Sequence, residues 1–243
     1  MINKSIRPYI VLNGISSQTI KGLLITDLPP ISKPPIRVNQ EEIDGRDGDI
    51  ITPLGYSAYD KTLSIGLTYE YDIDDIIEFF NSEGKVVFSN EPDKYYKYAI
   101  YEQIDFEKLV RFKKADVVFH IQPFKYSDDE NEKTFTLGGD NKEFDIRNNG
   151  NIYSKPTLEI TGAGNIEMFL NGSSILTIDL PTLTQTIIID TVEMNAYNEN
   201  KTVFLNRLVE GDYDNIRLKV GKNTISFIGG VNKVVVNNYS RWI

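Results

Sequence analysis

Cysteine is absent from this sequence, and histidine and tryptophan occur once each. Without cysteine the chain has no disulfide and no thiolate chemistry, so its redox compartment cannot be inferred. Zinc sites draw largely on histidine and cysteine, which here supply only His120, so we predict no metal site. Catalysis of the Ser-His-Asp or Cys-His type would also depend on His120, which lies within a predicted strand and beside no serine motif. We therefore expect His120 to be structural.

The sequence also lacks a basic patch and a long apolar run. The 26 lysines and arginines are scattered among 35 acidic residues, and the resulting net charge of −9 argues against a nucleic-acid-binding protein. No apolar run approaches the roughly 20 residues that span a bilayer, and residues 1–7 lack the apolar core of a signal peptide. We expect a protein that is made in a cytoplasm and stays there or leaves as part of a larger particle.

Carboxylates and glycines are plentiful, but they form no recognisable catalytic motif. The acidic run Asp128 to Glu130 lacks the ligand spacing of a calcium loop, which favours a solvated linker. No pair of carboxylates stands out as a glycosidase pair. The glycines at 162–164 and 229–230 precede no helix and no Gly-Lys-Ser/Thr sequence, so we interpret them as turns of a β-sandwich. We predict no enzyme activity and no cofactor.

The most informative stretch runs from Ile43 to Gly48. A proline-rich segment, residues 28–36, precedes it and keeps the chain extended, and an alternating strand pattern follows at 63–69. Its two glycines supply the backbone angles of a tight turn, and its charges face outward or toward a partner. We predict a subunit interface at this turn, with residues 28–36 as an extended arm; the alternatives are a solvated turn and an intrachain salt bridge. The predicted interface residues are Gly45, Arg46, Asp47 and Gly48.

The apolar pattern predicts a mostly β protein with two domains. Residues 1–127 are predicted to form an α+β domain in which one short helix, residues 73–81 with Asp72 as N-cap, packs on a β-sheet or β-barrel. A polar run at 127–133 suits a domain boundary. Residues 128–243 show only short strands separated by Gly, Asn and Asp, a spacing typical of a β-sandwich.

Several stretches, taken together and in order, resemble one protein family. They are Asn13-Gly14 with Gly22-Leu23, Ile43 to Gly48, the helix ending in Phe79-Phe80 before Gly84, Val118 to Tyr126, Asn149 to Asn151 with Ser154 to Pro156, Ile189-Asp190, and Arg241 to Ile243. Through this set the sequence resembles the distal tail proteins, called Dit, of siphovirus-type bacteriophages. The resemblance covers nearly the whole chain, and its strength lies in the ordered set, since each motif alone is weak.

The resemblance implies a structural role in the phage tail tip, or baseplate. Members of the family form a homo-hexameric ring whose wall is built by the N-terminal domain, while a C-terminal galectin-like or CBM-like β-sandwich lies outside. The ring joins the tail tube protein to the tail-associated hub or lysin protein. Tape-measure and receptor-binding proteins are further partners that the resemblance implies. The expected location is the virion, after synthesis in the host bacterial cytoplasm.

Other readings of the same residues stay open. The C-terminal sandwich could instead be a carbohydrate-binding module that docks on host cell-wall polysaccharide through Tyr197, Tyr213 or Tyr239. A glycoside hydrolase is a third hypothesis, for which no specific carboxylate pair can be named. The sequence also leaves open whether the free protein is a monomer, a hexamer or a stacked double ring, and whether it comes from a phage, a prophage or a bacteriocin particle.

Overall fold

The computed structural model describes residues 7–130, 132–139 and 142–243. They divide into two compact units, which are considered separately below. The first takes in the described chain up to Lys125 together with Ile243, and the second runs from Tyr126 to Trp242. No helix in these described ranges is both long and apolar enough to cross a membrane.

The first unit is a seven-stranded sheet with two helices, plus a separate two-stranded hairpin. The strands are β1 Ile10–Leu12, β2 Ile15–Ser16, β3 Leu23–Asp27, β4 Ile36–Glu42, β5 Asp49–Tyr56, β6 Tyr59–Leu67, β7 Glu83–Phe88, β8 Tyr95–Ala99 and β9 Lys114–Tyr126, and the helices are α1 Ile73–Phe80 and α2 Phe106–Phe112. The sheet order is β2-β1-β7-β8-β9-β6-β3, whereas β4 and β5 pair only with each other among the described strands. The terminal strands of the larger sheet are therefore β2 and β3.

Strict alternation along β9 builds one side of this unit's core. Ala115, Val117, Phe119 and Ile121 are all buried, as their spacing of two predicts, while the residues between them are more exposed. Phe119 contacts an aromatic ring from helix α1, since its ring centroid lies 6.5 Å from that of Phe80. Burying the apolar face of α1 against this strand fixes the helix on the sheet.

The prediction of a single helix is wrong, because the first unit also contains α2. Asp105 caps this helix by accepting a hydrogen bond from the backbone N of Lys108 at 2.7 Å. Leu109 is its one buried side chain, and the helix ends at Lys113 in a left-handed conformation with φ of 59°. The helix was missed because one buried residue gives no helical periodicity and because the usual terminal glycine is replaced by lysine.

The second unit is all β, apart from short 3-10 turns. Its described strands are β10 Glu132–Thr136, β11 Glu143–Asn148, β12 Thr157–Leu170, β13 Ser173–Asp179, β14 Gln185–Asp190, β15 Asn195–Asn198, β16 Val209–Gly211 and β17 Gly221–Asn237. One layer contains β11, the first half of β17, the second half of β12, β13 and β16. The other contains β10, the remaining halves of β17 and β12, β14 and β15. The inner faces of both layers share one apolar core.

Glycines allow the two long strands to pass from one layer to the other. A Cβ atom on Gly162 would lie 2.4 Å from the carbonyl oxygen of Gly230, and one on Gly229 would lie 2.1 Å from that of Asn165. The pairing register of β12 and β17 shifts at the same place. These glycines were interpreted from sequence as turns, which is wrong: the chain bends there without ending the strand, because side chains are absent where the two backbones meet.

The mostly β fold predicted from the sequence is confirmed, and so is the β-sandwich of the second half. The bent strands explain why short strands were expected, since each half of β12 and β17 has its own alternating pattern.

Candidate subunit interface

The β4–β5 hairpin is the most exposed element of the first unit. Every residue of β4 is exposed, and only three of the eight residues of β5 are partly covered. We call this hairpin, residues 36–56, the arm. A two-stranded ribbon that packs on no other described element is marginally stable in water, which makes this hairpin a candidate contact surface.

One face of the arm is apolar. The register pairs Ile36 with Tyr56, Val38 with Pro53, and Gln40 with Ile51, and cross-strand partners lie on the same face of a ribbon. Ile51 is 61% exposed and Val38 is 44% exposed. The opposite face is polar over most of its length, with pairs such as Asn39 and Thr52. The arm is therefore amphipathic, although neither face is covered by its own chain.

The turn at the end of the arm contains the predicted interface residues. Gly45 and Gly48 have φ of 79° and 75°, so the prediction that both glycines supply positive backbone angles is confirmed. The backbone N of Arg46 donates to the carbonyl oxygen of Ile43 at 3.1 Å, which closes the turn. All four predicted residues, Asp47 included, are exposed and lie together at the far end of the hairpin. Their part in an interface stays a prediction.

The proline-rich segment is the root of the arm, not the arm itself. Pro29 and Pro34 are buried against their own unit. The Lys61 ammonium, on β6, donates to the carbonyl oxygen of Pro30 at 2.6 Å and to Ser32 Oγ at 3.3 Å. The extended arm therefore begins at Ile36, the last residue of the segment 28–36 that was predicted to form it.

Two further side chains hold this root. Tyr59 OH donates to the carbonyl oxygen of Ser32 at 3.3 Å, and Asn90 Nδ2 donates to that of Pro29 at 3.0 Å. On the other strand at the same base of the hairpin, the Tyr56 ring meets the Phe124 ring edge to face, with centroids 5.4 Å apart. Because both strands are held at this base, the direction of the hairpin relative to the first unit is set by side chains far away in sequence.

Lys61 is a buried cation, with only 4% of its surface exposed. Burial lowers the pKa of its ammonium to about 8, and the positive charge of Lys125 acts in the same direction, while Glu91 opposes both. The Glu91 carboxylate is already engaged, since it accepts from Lys125 Nζ at 2.7 Å and from Tyr96 OH at 3.0 Å. The ring of Tyr96 lies 5.4 Å from the Lys61 ammonium, which favours the cation.

The three tyrosines predicted to contact sugar have different environments. Tyr239 belongs to the core and is 9% exposed. Tyr213 packs against that core, and its buried hydroxyl has no hydrogen-bond partner among the described residues. Tyr197 is half-buried beside Phe204, which is 64% exposed, with ring centroids 5.0 Å apart. Only Tyr197 belongs to an open aromatic surface; whether any of the three binds sugar stays a prediction.

His120 pairs with a carboxylate across the sheet. Its Nδ1 lies 2.8 Å from Asp60 Oδ1, and the two residues are directly opposite in the β6–β9 register. Its ring also lies 5.2 Å from that of Tyr101. Within the part of the chain that the structure describes, no group of three or more His, Cys, Asp or Glu residues is arranged to hold a metal ion.

The fold is also found in solved structures of phage tail components. The chain superposes on the SPP1 Dit protein, described as a paradigm of the hub adsorption apparatus in phages that infect Gram-positive bacteria, with a TM-score of 0.62 and 16% identity. The alignment covers 95% of this chain and 98% of the SPP1 protein. The chain has the Dit fold.

This chain also aligns with chains of the phage P2 baseplate in its activated conformation. With calcium, the TM-score is 0.56 at 12% identity, covering 96% of this chain and 97% of the baseplate chain. With strontium, it is 0.54 at 11% identity, covering 95% and 97%. By sequence, the chain matches no protein-family model and no curated protein. At identities this low, the structural alignments establish only a shared fold, so function has to be argued from this chain's own residues.

Proposed function

We propose that this chain is a structural, non-enzymatic hub subunit of a phage tail tip. Copies of it assemble into a hexameric ring that joins the tail tube protein to the tail-associated hub or lysin protein and to the receptor-binding apparatus. The Dit fold over nearly the full length of the chain supports this proposal. The observation that carries it is the exposed, amphipathic arm.

The arm supplies the free energy that assembly needs. Its apolar face includes Ile36, Val38, Ile51 and Pro53, all exposed in the single chain. Burying a Val or Ile side chain contributes about 1.5–3 kcal/mol when it goes from fully exposed to fully buried. Burying several such side chains can offset the entropy lost on association. Part of that cost is already met, because the base of the hairpin is held by its own unit.

A projecting arm is compatible with a ring. Where each arm passes to the next copy, and two copies do not exchange arms reciprocally, the contact is head-to-tail, and such contacts close into rings when the rotation between subunits allows. In the proposed ring, residues 1–127 build the wall and residues 128–243 lie outside. The tail tube and tape-measure proteins meet the ring in the assembled virion, after synthesis in the host cytoplasm. The role requires no cofactor, metal, membrane insertion or sequence-specific nucleic-acid contact.

The mass of the purified protein in solution tests this proposal. Light scattering on a sizing column, across a range of concentrations, should show a species near six or twelve times the chain mass of 27.7 kDa. Electron microscopy of the same fraction should show rings. A strict monomer at high concentration, even when tail tube and hub proteins are added, would contradict the ring.

A second function, carbohydrate binding, is favoured by one observation. Tyr197 and Phe204 form a partly exposed aromatic pair on β15 and the chain segment bridged to it, and aromatic faces stack on sugar rings. Polar groups lie nearby, since Tyr197 OH donates to Glu193 Oε2 at 2.6 Å. Binding of cell-wall polysaccharide that is lost on Phe204→Ala and kept on Phe112→Ala, an exposed phenylalanine of the other unit, would support this function. Silence on a glycan array would count against it.

A further inference from the structure

A groove of about 770 Å³ runs beside the terminal strand β3. One wall is β3 itself, and another is the short 3-10 turn Ser17–Thr19. Ser17 Oγ accepts from the backbone N of Ile10 at 3.1 Å, while the backbone N of Leu23 donates to Ile20 at 3.3 Å. The turn is thus tied to β1 on one side and to β3 on the other, so the groove has fixed walls.

Within the described residues, no strand lies along the edge of β3 that borders this groove. Among the described strands, β3 pairs only with β6, and it is the last strand in the sheet order. Such an edge presents backbone N–H and C=O groups to any extended chain that lies alongside it. Leu24 and Thr26 line the groove and are not fully buried. The groove is therefore suited to an added β-strand.

The arm has the shape and charge that fit this groove. Its strands are extended, and β4 contains no proline, whereas Pro53 interrupts the backbone donors of β5. Among the described residues lining the groove, the charged ones are Arg7 and Lys21, with no carboxylate. The arm carries two arginines and five carboxylates, namely Glu41, Glu42, Asp44, Asp47 and Asp49. The arm is thus acidic overall and the described lining of the groove is basic, although Lys21 Nζ also lies 3.9 Å from Glu70 Oε2.

The arm of the same chain does not occupy this groove. No residue of the arm is among those that line it, and the arm strands are almost fully exposed. Building on the proposed ring, we propose that the groove beside β3 receives the arm of a second copy of this chain, with β4 as the added strand. The backbone pairing then gives the contact its register, and the charges select the orientation.

Introduced cysteines test this arrangement cleanly because the natural chain has none. One variant carries Thr26→Cys in the groove, and the other carries a cysteine in β4, at Val38, Asn39 or Gln40 in turn. Cysteines on paired strands come within the Cα spacing of about 4.4–6.8 Å that a disulfide needs. Mixing the two variants under oxidised glutathione should give a disulfide-linked heterodimer for one or two neighbouring β4 positions. In the control, Asn200→Cys, in an exposed loop of the second unit, replaces the β4 cysteine, and no disulfide-linked heterodimer should form.

The outcomes separate this inference from the ring itself. Multimers without any heterodisulfide would overturn the docking of the arm in the groove and leave the ring standing. A monomer without heterodisulfide would overturn both. A heterodisulfide that forms as readily with the Asn200→Cys control as with the β4 positions would show random collision between copies and overturn the proposal.

A charge exchange gives an independent test. Lys21→Glu should weaken association, by up to about fivefold for an exposed pair, and Glu41→Lys in the same chain should restore part of it if the arm enters the groove. Glu41→Lys combined with Lys114→Glu, on β9 outside the groove lining, is the control and should restore nothing. Equal behaviour of the two combinations would contradict the docking.

Discussion

At the scale of single residues, Lys61 links the core of the first unit to the root of the arm. A buried ammonium is costly unless it is well hydrogen-bonded, and here its partners are Pro30 and Ser32, not a carboxylate within ion-pair distance among the described residues. The pKa of Lys61 is lowered because the cost of burying its charge exceeds the stabilisation that these contacts give to the charged form.

This pKa predicts a stability that rises with pH. The folded chain releases the Lys61 proton near pH 8, whereas the unfolded chain keeps it up to about pH 10.5. Between these values the unfolded state binds more protons at Lys61, so this residue should contribute an increase of about 1 kcal/mol in the free energy of unfolding from pH 8 to 9.5, while the raised pKa of buried tyrosines such as Tyr96 acts in the opposite direction as the pH approaches 10. Urea unfolding at several pH values measures it. Lys61→Met should flatten this rise, and so should Lys61→Arg, whose charge does not titrate; equal slopes in all three proteins would contradict the assignment.

Gly229 carries a second residue-scale prediction. Its φ is 110°, and an added Cβ would lie 2.1 Å from a carbonyl oxygen of the facing strand. Gly229→Ala should therefore lower the free energy of unfolding by about 3 kcal/mol or more, through strain and displacement of the strands. Gly138→Ala, at a position with open space and no positive φ, should change it by less than about 0.5 kcal/mol. Urea unfolding measures both variants. Similar losses of unfolding free energy in the two would contradict the explanation of the strand bend.

At the scale of elements, the arm combines a fixed root with an uncovered apolar face. Such a face has no stabilising role within one chain, so changes to it should affect assembly more than folding. Its two faces provide matched substitutions of the same charge, because Val38 and Ile51 point one way and Asn39 and Thr52 the other.

We predict that Val38→Asp or Ile51→Asp weakens self-association at least about tenfold, the equivalent of 1.4 kcal/mol, without lowering thermal stability of the monomer. Asn39→Asp and Thr52→Asp add the same charge to the polar face and should have a smaller effect. Sedimentation equilibrium gives the association constants. If all four variants associate alike, the apolar face does not drive assembly.

At the scale of the whole molecule, the net charge of −9 opposes bringing copies together. In the proposed ring, the attraction between the arm and the groove would involve few, exposed charges, whereas the repulsion would involve every chain. Salt screens both, but the repulsion is the larger and longer-ranged of the two.

Raising NaCl from about 0.02 M to 0.15 M, which shortens the Debye length to roughly 8 Å, should therefore increase the multimer fraction. Light scattering at fixed protein concentration measures this fraction, and sucrose at matched viscosity serves as the control for solvent effects. A fall in the multimer fraction with salt would mean that charge pairing, and not the apolar face, dominates the contact.

Local sequence patterns determined much of the structure by themselves. The alternation from Ala115 to Ile121 gave a strand with one buried face, and Gly45 and Gly48 gave a turn with positive φ. These features depend on residues that are neighbours in the chain, so period and backbone freedom are enough to predict them. The mostly β fold follows from the same patterns.

Only the tertiary structure decided where the arm begins and what lies opposite it. In strand β4 only Ile36 and Val38 alternate before a run of polar residues, a pattern too short to predict a strand, so β4 is recognisable only through its pairing with β5. The root depends on Pro30 meeting Lys61, and the sheet bend depends on Gly162 meeting Gly230. Such contacts join residues distant in sequence, and their energies exist only after the chain has folded, which is why no local pattern encodes them.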